Sequence, residues 1–321
     1  MKLHNFGAGP AILPDTVIKN TAAAVIELDN TGLSLLEISH RSKEFERIVD
    51  EGESLLHDLL RVPKGYRTLF LGGGASTQFV VLPYNLLNNK AAYLETGAWA
   101  QKAAKEAAHF GQVEIVASSK DKQFSYIPTD YAVPTDADYF HITSNNTIFG
   151  TQLRDDPDSP VPLVADMSSD ILSRPVDVSK YAVIYGGCQK NMGPAGVSFV
   201  IVKESALGHV ARKIPQMLDY RTHVEHNSLY NTPPVSSIYA VLQVLRWVKN
   251  EGGTAEMQKR AQARSRLLYG EIDRNPMFQG TTATKDRSLM NACFVMAPGN
   301  EHLEEQFLRF VEKRGIIGLK G

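Results

Sequence analysis

Short apolar runs alternate with helical patterns along most of this chain. Residues 43–60 place Phe45, Ile48, Val49, Leu55, Leu56 and Leu59 three and four positions apart, which is one face of a helix. Ser42 stands where an N-cap belongs, and Pro63 with Gly65 mark the end. An apolar strand is predicted over 68–71, followed by Gly72-Gly73-Gly74 and a helical stretch through Val81 and Leu87. Further strands are predicted over 91–94, 113–116, 139–143, 161–165, 182–185 and 197–202. They are short, apolar and bounded by turn residues, as strands buried in a parallel-rich sheet should be. A helix fits 99–110. The alternation implies an α/β fold with helices on both faces of one sheet.

After residue 202 the rhythm changes. A strong helix is predicted over 237–250, closed by Gly252-Gly253, then a polar helix over 254–273. One strand over 292–296 and one helix over 302–313 follow. A domain boundary is expected near residue 254.

Composition narrows the class. The chain has 321 residues, 43% of them hydrophobic and 21% charged, which suits a soluble protein able to bury a deep cleft. Net charge is −1 with no basic stripe, so nucleic acid is not an expected partner. No run of 18 apolar residues and no signal-peptide core occur, so no membrane association is expected and the cytoplasm is the default location. Two cysteines, Cys188 and Cys293, are too few for a disulfide framework or a zinc site, and no metal is expected.

Several short segments carry chemistry. In LFLGGGASTQF a strand and a glycine run open a helix at Ser76-Thr77. Backbone N–H groups at such a helix start can hold a phosphate, although a tight structural turn is an equal alternative. In VPLVADMSSD, Asp166 follows an apolar strand, where α/β sheets bind ligands. Its carboxylate could keep a pyridine nitrogen protonated, or merely cap the next turn. In YGGCQKNMGPAG, Lys190 lies in a Gly/Pro-rich loop between two apolar strands, where desolvation would free its amine as a nucleophile. Trp99, soon after a strand, could stack on a flat ring or pack in the core. His40-Arg41 before a helix suits an anion, and Asn231-Thr232 before two prolines could donate to one. A phosphate cradle, a strand-end carboxylate and a loop lysine are together what pyridoxal 5′-phosphate requires.

The segments FGAGPAILP, SHRS, GGGASTQF, ETGAW, SNNTIFGTQ, VADMSSD, GGCQKNMGPAG and YNTPPV occur in this order, and with them the sequence resembles the phosphoserine aminotransferases. These are class V aminotransferases of pyridoxal-phosphate fold type I. The resemblance implies a large domain with a mostly parallel seven-stranded sheet over 16–254, and a smaller α/β domain formed by 1–15 with 255–321. It implies that Lys190 binds the cofactor aldehyde as a Schiff base and moves the substrate proton. Asp166 would pair with the ring nitrogen, Trp99 would stack on the ring, and Thr147 would lie near its 3′ oxygen. Ala75, Ser76 and Gln189 would hold the cofactor phosphate. Asn231 and Thr232 would complete that phosphate site from a neighbouring subunit, making a homodimer with shared sites. His40 and Arg41 would contact the substrate phosphate. The implied reaction is ping-pong transfer of an amino group between L-glutamate and 3-phosphohydroxypyruvate in serine biosynthesis, with 4-phosphohydroxythreonine as a further candidate substrate. Relatives continue past GIIGLKG with a His-Arg pair and a Gly-Gly-x-Arg segment, so the C-terminal end is expected to be missing. Two alternatives remain: another class V chemistry, such as a serine–glyoxylate aminotransferase or a desulfurase, and a non-catalytic cofactor-binding shell.

Overall fold

A computed structural model describes residues 3–320. In chain order the main elements are α1 (Asp15–Ile26), α2 (Lys43–Leu60), β1 (Tyr66–Gly72), α3 (Ala75–Leu86), β2 (Lys90–Glu95), α4 (Ala98–Ala107), β3 (Gln112–Ser118), β4 (Tyr139–Thr143), β5 (Leu163–Asp166), β6 (Tyr181–Gly187), β7 (Val197–Lys203), α5 (Tyr220–Glu225), α6 (Val235–Asn250), α7 (Gly253–Arg274) and α8 (Glu304–Glu312). The seven strands form one sheet in the order β1-β7-β6-β5-β4-β2-β3. Strands β3, β2, β4, β5 and β6 run parallel to one another, whereas β7 runs antiparallel to both β6 and β1. The fold is the expected α/β architecture.

Each face of the sheet packs its own apolar layer. On one face α1, α2 and α6 bring Val17, Phe45, Val49, Leu56 and Leu242 against Phe70, Phe140, Ile184 and Phe199. On the other, α3 and α4 set Phe79, Leu82, Ala103 and Ala107 over Tyr93, Val164, Tyr185 and Val200. Burial on both sides explains why β4, β5 and β6 read as unbroken apolar runs. Each fully buried large side chain adds roughly 1.5–3 kcal/mol of transfer free energy.

Local signals set the element ends. Ser42 caps α2, its hydroxyl accepting from Phe45 N–H at 3.3 Å. The helix stops one residue after Leu60, where Arg61 turns left-handed at φ 53°, before the Pro63 and Gly65 expected to end it. Helix α1 carries too weak an apolar stripe to be read from the sequence: Val17 and Ala24 are buried, but Ile18 and Ile26 face out. Near the chain ends a short strand, His4–Asn5, pairs in parallel with Ile316–Ile317. The strand expected over 292–296 forms as Phe294–Met296, paired with Phe278–Gly280.

Gly186 shows how closely β6 approaches its surroundings. A Cβ there would lie 2.7 Å from the Phe199 ring and 2.7 Å from Ser168 Cα. Gly186→Ala is expected to destabilise the fold by about 1–3 kcal/mol, because neither a strand backbone nor a buried ring can yield cheaply. Urea unfolding reads this directly; a variant with the parent's midpoint would contradict the packing.

Candidate active site

The carboxyl ends of β1, β2, β4, β5 and β6 converge on one region, and each delivers a polar group. Strand β5 ends at Asp166, which is 5% exposed. Its Oδ1 accepts from Ser168 N–H at 2.9 Å and Ser168 Oγ–H at 2.5 Å, while Oδ2 has no hydrogen-bond partner among the described residues. Ser168 Oγ in turn accepts from Gly187 N–H at 3.0 Å, so the end of β6 fixes the acid. Asp166 therefore both caps its own turn and presents a free oxygen.

Beyond β6 the chain turns through Cys188 and Gln189 to Lys190. The Lys190 ammonium donates to Thr147 Oγ1 at 2.9 Å and lies 5.0 Å from the centre of the Trp99 ring. Trp99 opens α4 just past β2, and its buried Nε1–H has no partner. Burial lowers the Lys190 pKa, against the opposing pull of Asp166 and Asp170. Burial raises the Asp166 carboxyl, while Lys190 and the two Ser168 bonds draw it back. The amine is thus biased toward its free form, and the carboxylate awaits a stronger cation.

The glycine run forms the third part. Gly73, at φ +103°, donates its N–H to Gly196 C=O at 3.0 Å, and a Cβ on it would meet Thr77 Oγ1 at 2.7 Å. Gly74 begins α3 without any side-chain cap, and a Cβ on it would meet nothing within 4 Å. The N–H groups of Ala75 and Ser76 stand in the first turn of α3, at the positive end of its helix dipole. Gln189, half-buried, flanks Lys190.

These residues fit pyridoxal phosphate. An uncapped helix start suits the phosphate, a buried carboxylate with an unengaged oxygen suits a pyridinium, a half-buried indole suits the ring, and a desolvated amine suits the aldehyde. The expected residues do not all meet within one chain. Lys190, Thr147, Trp99 and Asp166 do. His40 and Arg41 instead line a separate cleft of about 440 Å³ with Glu225 and His226. Asn231 and Thr232 are exposed, and Asn231 Nδ2–H donates only to Thr232 C=O.

Other groups at the site lie inside the same motif segments, but nothing in the sequence marks their individual roles. Gly9 packs on Lys190, where a Cβ would lie 3.0 Å from its Cγ, and Ala11 N–H donates to Gln189 C=O at 2.9 Å. Asp170 lies buried behind Ser144 and Gln152, accepting from the Ser144 hydroxyl and from Gln152 Nε2–H at 3.1 Å. Gly97 leaves room for Asn146, whose Oδ1 would stand 2.5 Å from any Cβ there. Neither thiol is poised as a nucleophile: Cys188 is fully buried, and burial pushes both Cys188 and Cys293 up.

The model of the class-V aminotransferase family matches residues 3–318. A phosphoserine aminotransferase of Bacteroides thetaiotaomicron is 59% identical over 321 residues, spanning 100% of this chain and 90% of that protein. The crystal structure of phosphoserine aminotransferase from Bacillus circulans subsp. alkalophilus superposes with a TM-score of 0.96 at 41% identity, covering 100% of this chain and 90% of that one. A phosphoserine aminotransferase from Trichomonas vaginalis, solved with pyridoxal phosphate bound, gives a TM-score of 0.94 at 34% identity over 100% of this chain and 92% of its own.

Beneath the site His141 stacks on Tyr93 with ring centres 4.6 Å apart, and its Nε2 meets the Tyr185 hydroxyl at 2.8 Å. Burial lowers its pKa from an ordinary 6.5 to about 3. The unfolded chain takes up a proton near 6.5 that the folded protein refuses until about 3, so this contribution is intact above the window and is lost as pH falls through it. Replacing His141 with Gln should flatten the decline of unfolding free energy on acidification below pH 6.5. An unchanged slope in denaturant titrations at stepped pH would contradict it.

Proposed function

Because the chain belongs to the class-V aminotransferases, and within them to the phosphoserine aminotransferases, we propose that it moves an amino group between L-glutamate and 3-phosphohydroxypyruvate, yielding O-phospho-L-serine and 2-oxoglutarate. Pyridoxal phosphate is its cofactor. The observation that carries the reading is the Lys190 ammonium held 2.9 Å from Thr147 Oγ1 beside Trp99, with the buried Asp166 carboxylate acting on it through the low-dielectric interior.

When bound, the cofactor supplies a conjugated, protonated ring that stores the electron pair left when the substrate Cα loses its proton. The chain's own residues do the rest. Asp166, oriented by Ser168, holds the proton on the ring nitrogen. Lys190 would hold the cofactor through its aldehyde, and its free amine would carry the proton between the two carbons that flank the imine nitrogen. Its lowered pKa keeps a larger share of that amine unprotonated at neutral pH. Thr147 orients the amine, and Trp99 walls the ring from water. Ala75 and Ser76 offer N–H groups to the cofactor phosphate, with Gln189 beside them.

The reading includes a cytoplasmic homodimer with shared sites. Three observations support it. His40 is buried with an unpartnered Nε2, and Arg41 is exposed with no ion pair among the described residues. Both stand apart from Lys190, as groups completing a neighbour's site would. Helix α1 and the loop after it also expose Ile18, Ile26, Leu33 and Leu36, suited to a second copy. Asn231 and Thr232 would then reach the neighbour's cofactor phosphate, and His40 with Arg41 its phosphorylated substrate. The pairing of His4–Asn5 with Ile316–Ile317 supports the division into a large domain over 16–254 and a small one joining both chain ends. Substrates with one more carbon, such as 4-phosphohydroxythreonine, remain in the same class.

Two measurements test this. The holoprotein should carry a visible band that borohydride bleaches, and adding O-phosphoserine should convert that band in a single turnover. No conversion would overturn the assignment. Lys190→Ala should abolish the bleachable band and turnover, and Asp166→Asn should slow the conversion about 100- to 1,000-fold, as loss of a buried charge at a reacting ring would. For shared sites, Lys190→Ala and Arg41→Ala chains, each inactive, should recover about a quarter of parental activity when mixed and reassembled, the statistical share of intact sites in a two-fold dimer. No recovery despite measured exchange of subunits would place Arg41 in its own chain's site.

A further inference from the structure

Thr147 sits in a hairpin formed by the short strands Asn145–Asn146 and Thr151–Gln152. One flank of this hairpin is tied to the sheet through buried Asp170, which accepts from Ser144 and Gln152. The other flank is tied to a distant segment, 286–293. There Asn291 uses both ends of its amide. Its Nδ2–H donates to Thr147 C=O at 3.0 Å, and its Oδ1 accepts from Asn145 Nδ2–H at 2.9 Å, with Ser288 Oγ 3.2 Å away. Leu289 N–H adds a bond to Gln152 Oε1 at 2.9 Å. Cys293 Sγ also approaches Thr147 C=O, but at 3.9 Å it is a weak partner.

We infer that Asn291 is a positioning residue for Lys190, acting by fixing the Thr147 backbone so that Oγ1 meets the lysine amine. The geometry runs without a gap: Asn291 Nδ2 to Thr147 C=O, then Thr147 Oγ1 to Lys190 Nζ at 2.9 Å. The side-chain amide can donate to Thr147 and accept from Asn145 at once. An aspartate would keep the acceptor and lose the donor, leaving the Thr147 carbonyl facing a carboxylate. The rest of the knot does not need Asn291, because Asn145 Nδ2 also donates to Ser169 Oγ at 2.8 Å and Ser288 Oγ donates to Asn145 Oδ1 at 2.5 Å. Removing the Asn291 amide therefore frees Thr147 in particular, not the whole hairpin. Asn291 also precedes the strand Phe294–Met296, so the segment packed around 278–296 is mechanically joined to the amine that does the chemistry.

This inference rests on the assignment of Lys190 as the cofactor's lysine. Its test is the pH titration of the visible band in the holoprotein, which reports the proton affinity at the lysine nitrogen. Asn291→Ala and Asn291→Asp should each shift the apparent pKa of that band by about 0.5 or more, in the direction given by Thr147→Val, since each weakens a hydrogen bond made by a charged group. In Thr147→Val/Asn291→Ala the shift should equal that of Thr147→Val alone. A parental pKa in both Asn291 variants, or full additivity in the double variant, overturns the inference. If Asn291→Ala fails to fold, Asn291→Asp, which keeps the bond to Asn145, carries the test. A protein with no bleachable band in the parent would instead count against the lysine assignment, so the two failures are distinguishable.

Discussion

A lysine amine and an aspartate carboxylate, both taken out of water at the ends of the same sheet, govern this structure. Each alone would be costly to bury, and each is helped by the charge of the other. Burial favours the free amine on Lys190 and a neutral carboxyl on Asp166, while their mutual attraction favours the charged pair. A cationic ring held near Asp166 would resolve the conflict, because it would supply the positive charge that the carboxylate needs and release Lys190 from serving as its counterion. The sheet makes this possible by holding Asp166 at the end of β5 and Lys190 just past β6, two strands paired in parallel. Small residues then admit what must come close: Gly186 lets Ser168 reach the acid, and Gly97 lets Asn146 lie beside the start of α4.

Much of the fold was legible because its strands are buried on both faces. Runs such as 139–143 and 197–202 have no other stable use, and β4 and β7 form there. The α2 stripe and its Ser42 cap were equally plain. The less legible parts lack a strong apolar signal. Helix α1 is half exposed, and the hairpin around Thr147 consists of polar residues whose order comes from partners far along the chain. Strand β7 runs against its neighbours, a direction that no run of apolar residues encodes.

The same contrast holds at the site. Lys190, Asp166 and the glycine run stand in stretches whose composition is odd enough to suggest chemistry without any structure. Asn291 does not, and Ser168, though in the same stretch as Asp166, is not singled out within it. Their work depends on where their amides and hydroxyls point, and a single polar residue before a strand carries no such direction. His40 and Arg41 form an intermediate case, since the pair is conspicuous in the sequence but stands in its own cleft, apart from Lys190. The signal there was of anion affinity, not of location.

The N-terminal segment has a bearing on how the molecule is made. Gly9 and Ala11 rest on the Lys190 loop, and His4–Asn5 pairs with Ile316–Ile317. During translation these first residues leave the ribosome long before either partner exists. Gly9 and Ala11 must wait until residues 189 and 190 have emerged, and His4–Asn5 until residues 316 and 317 have. Such contacts between remote stretches carry a large loop-closure cost and form late. Lys190 therefore receives its cover from the start of the chain only after the intervening strands of the sheet have been made.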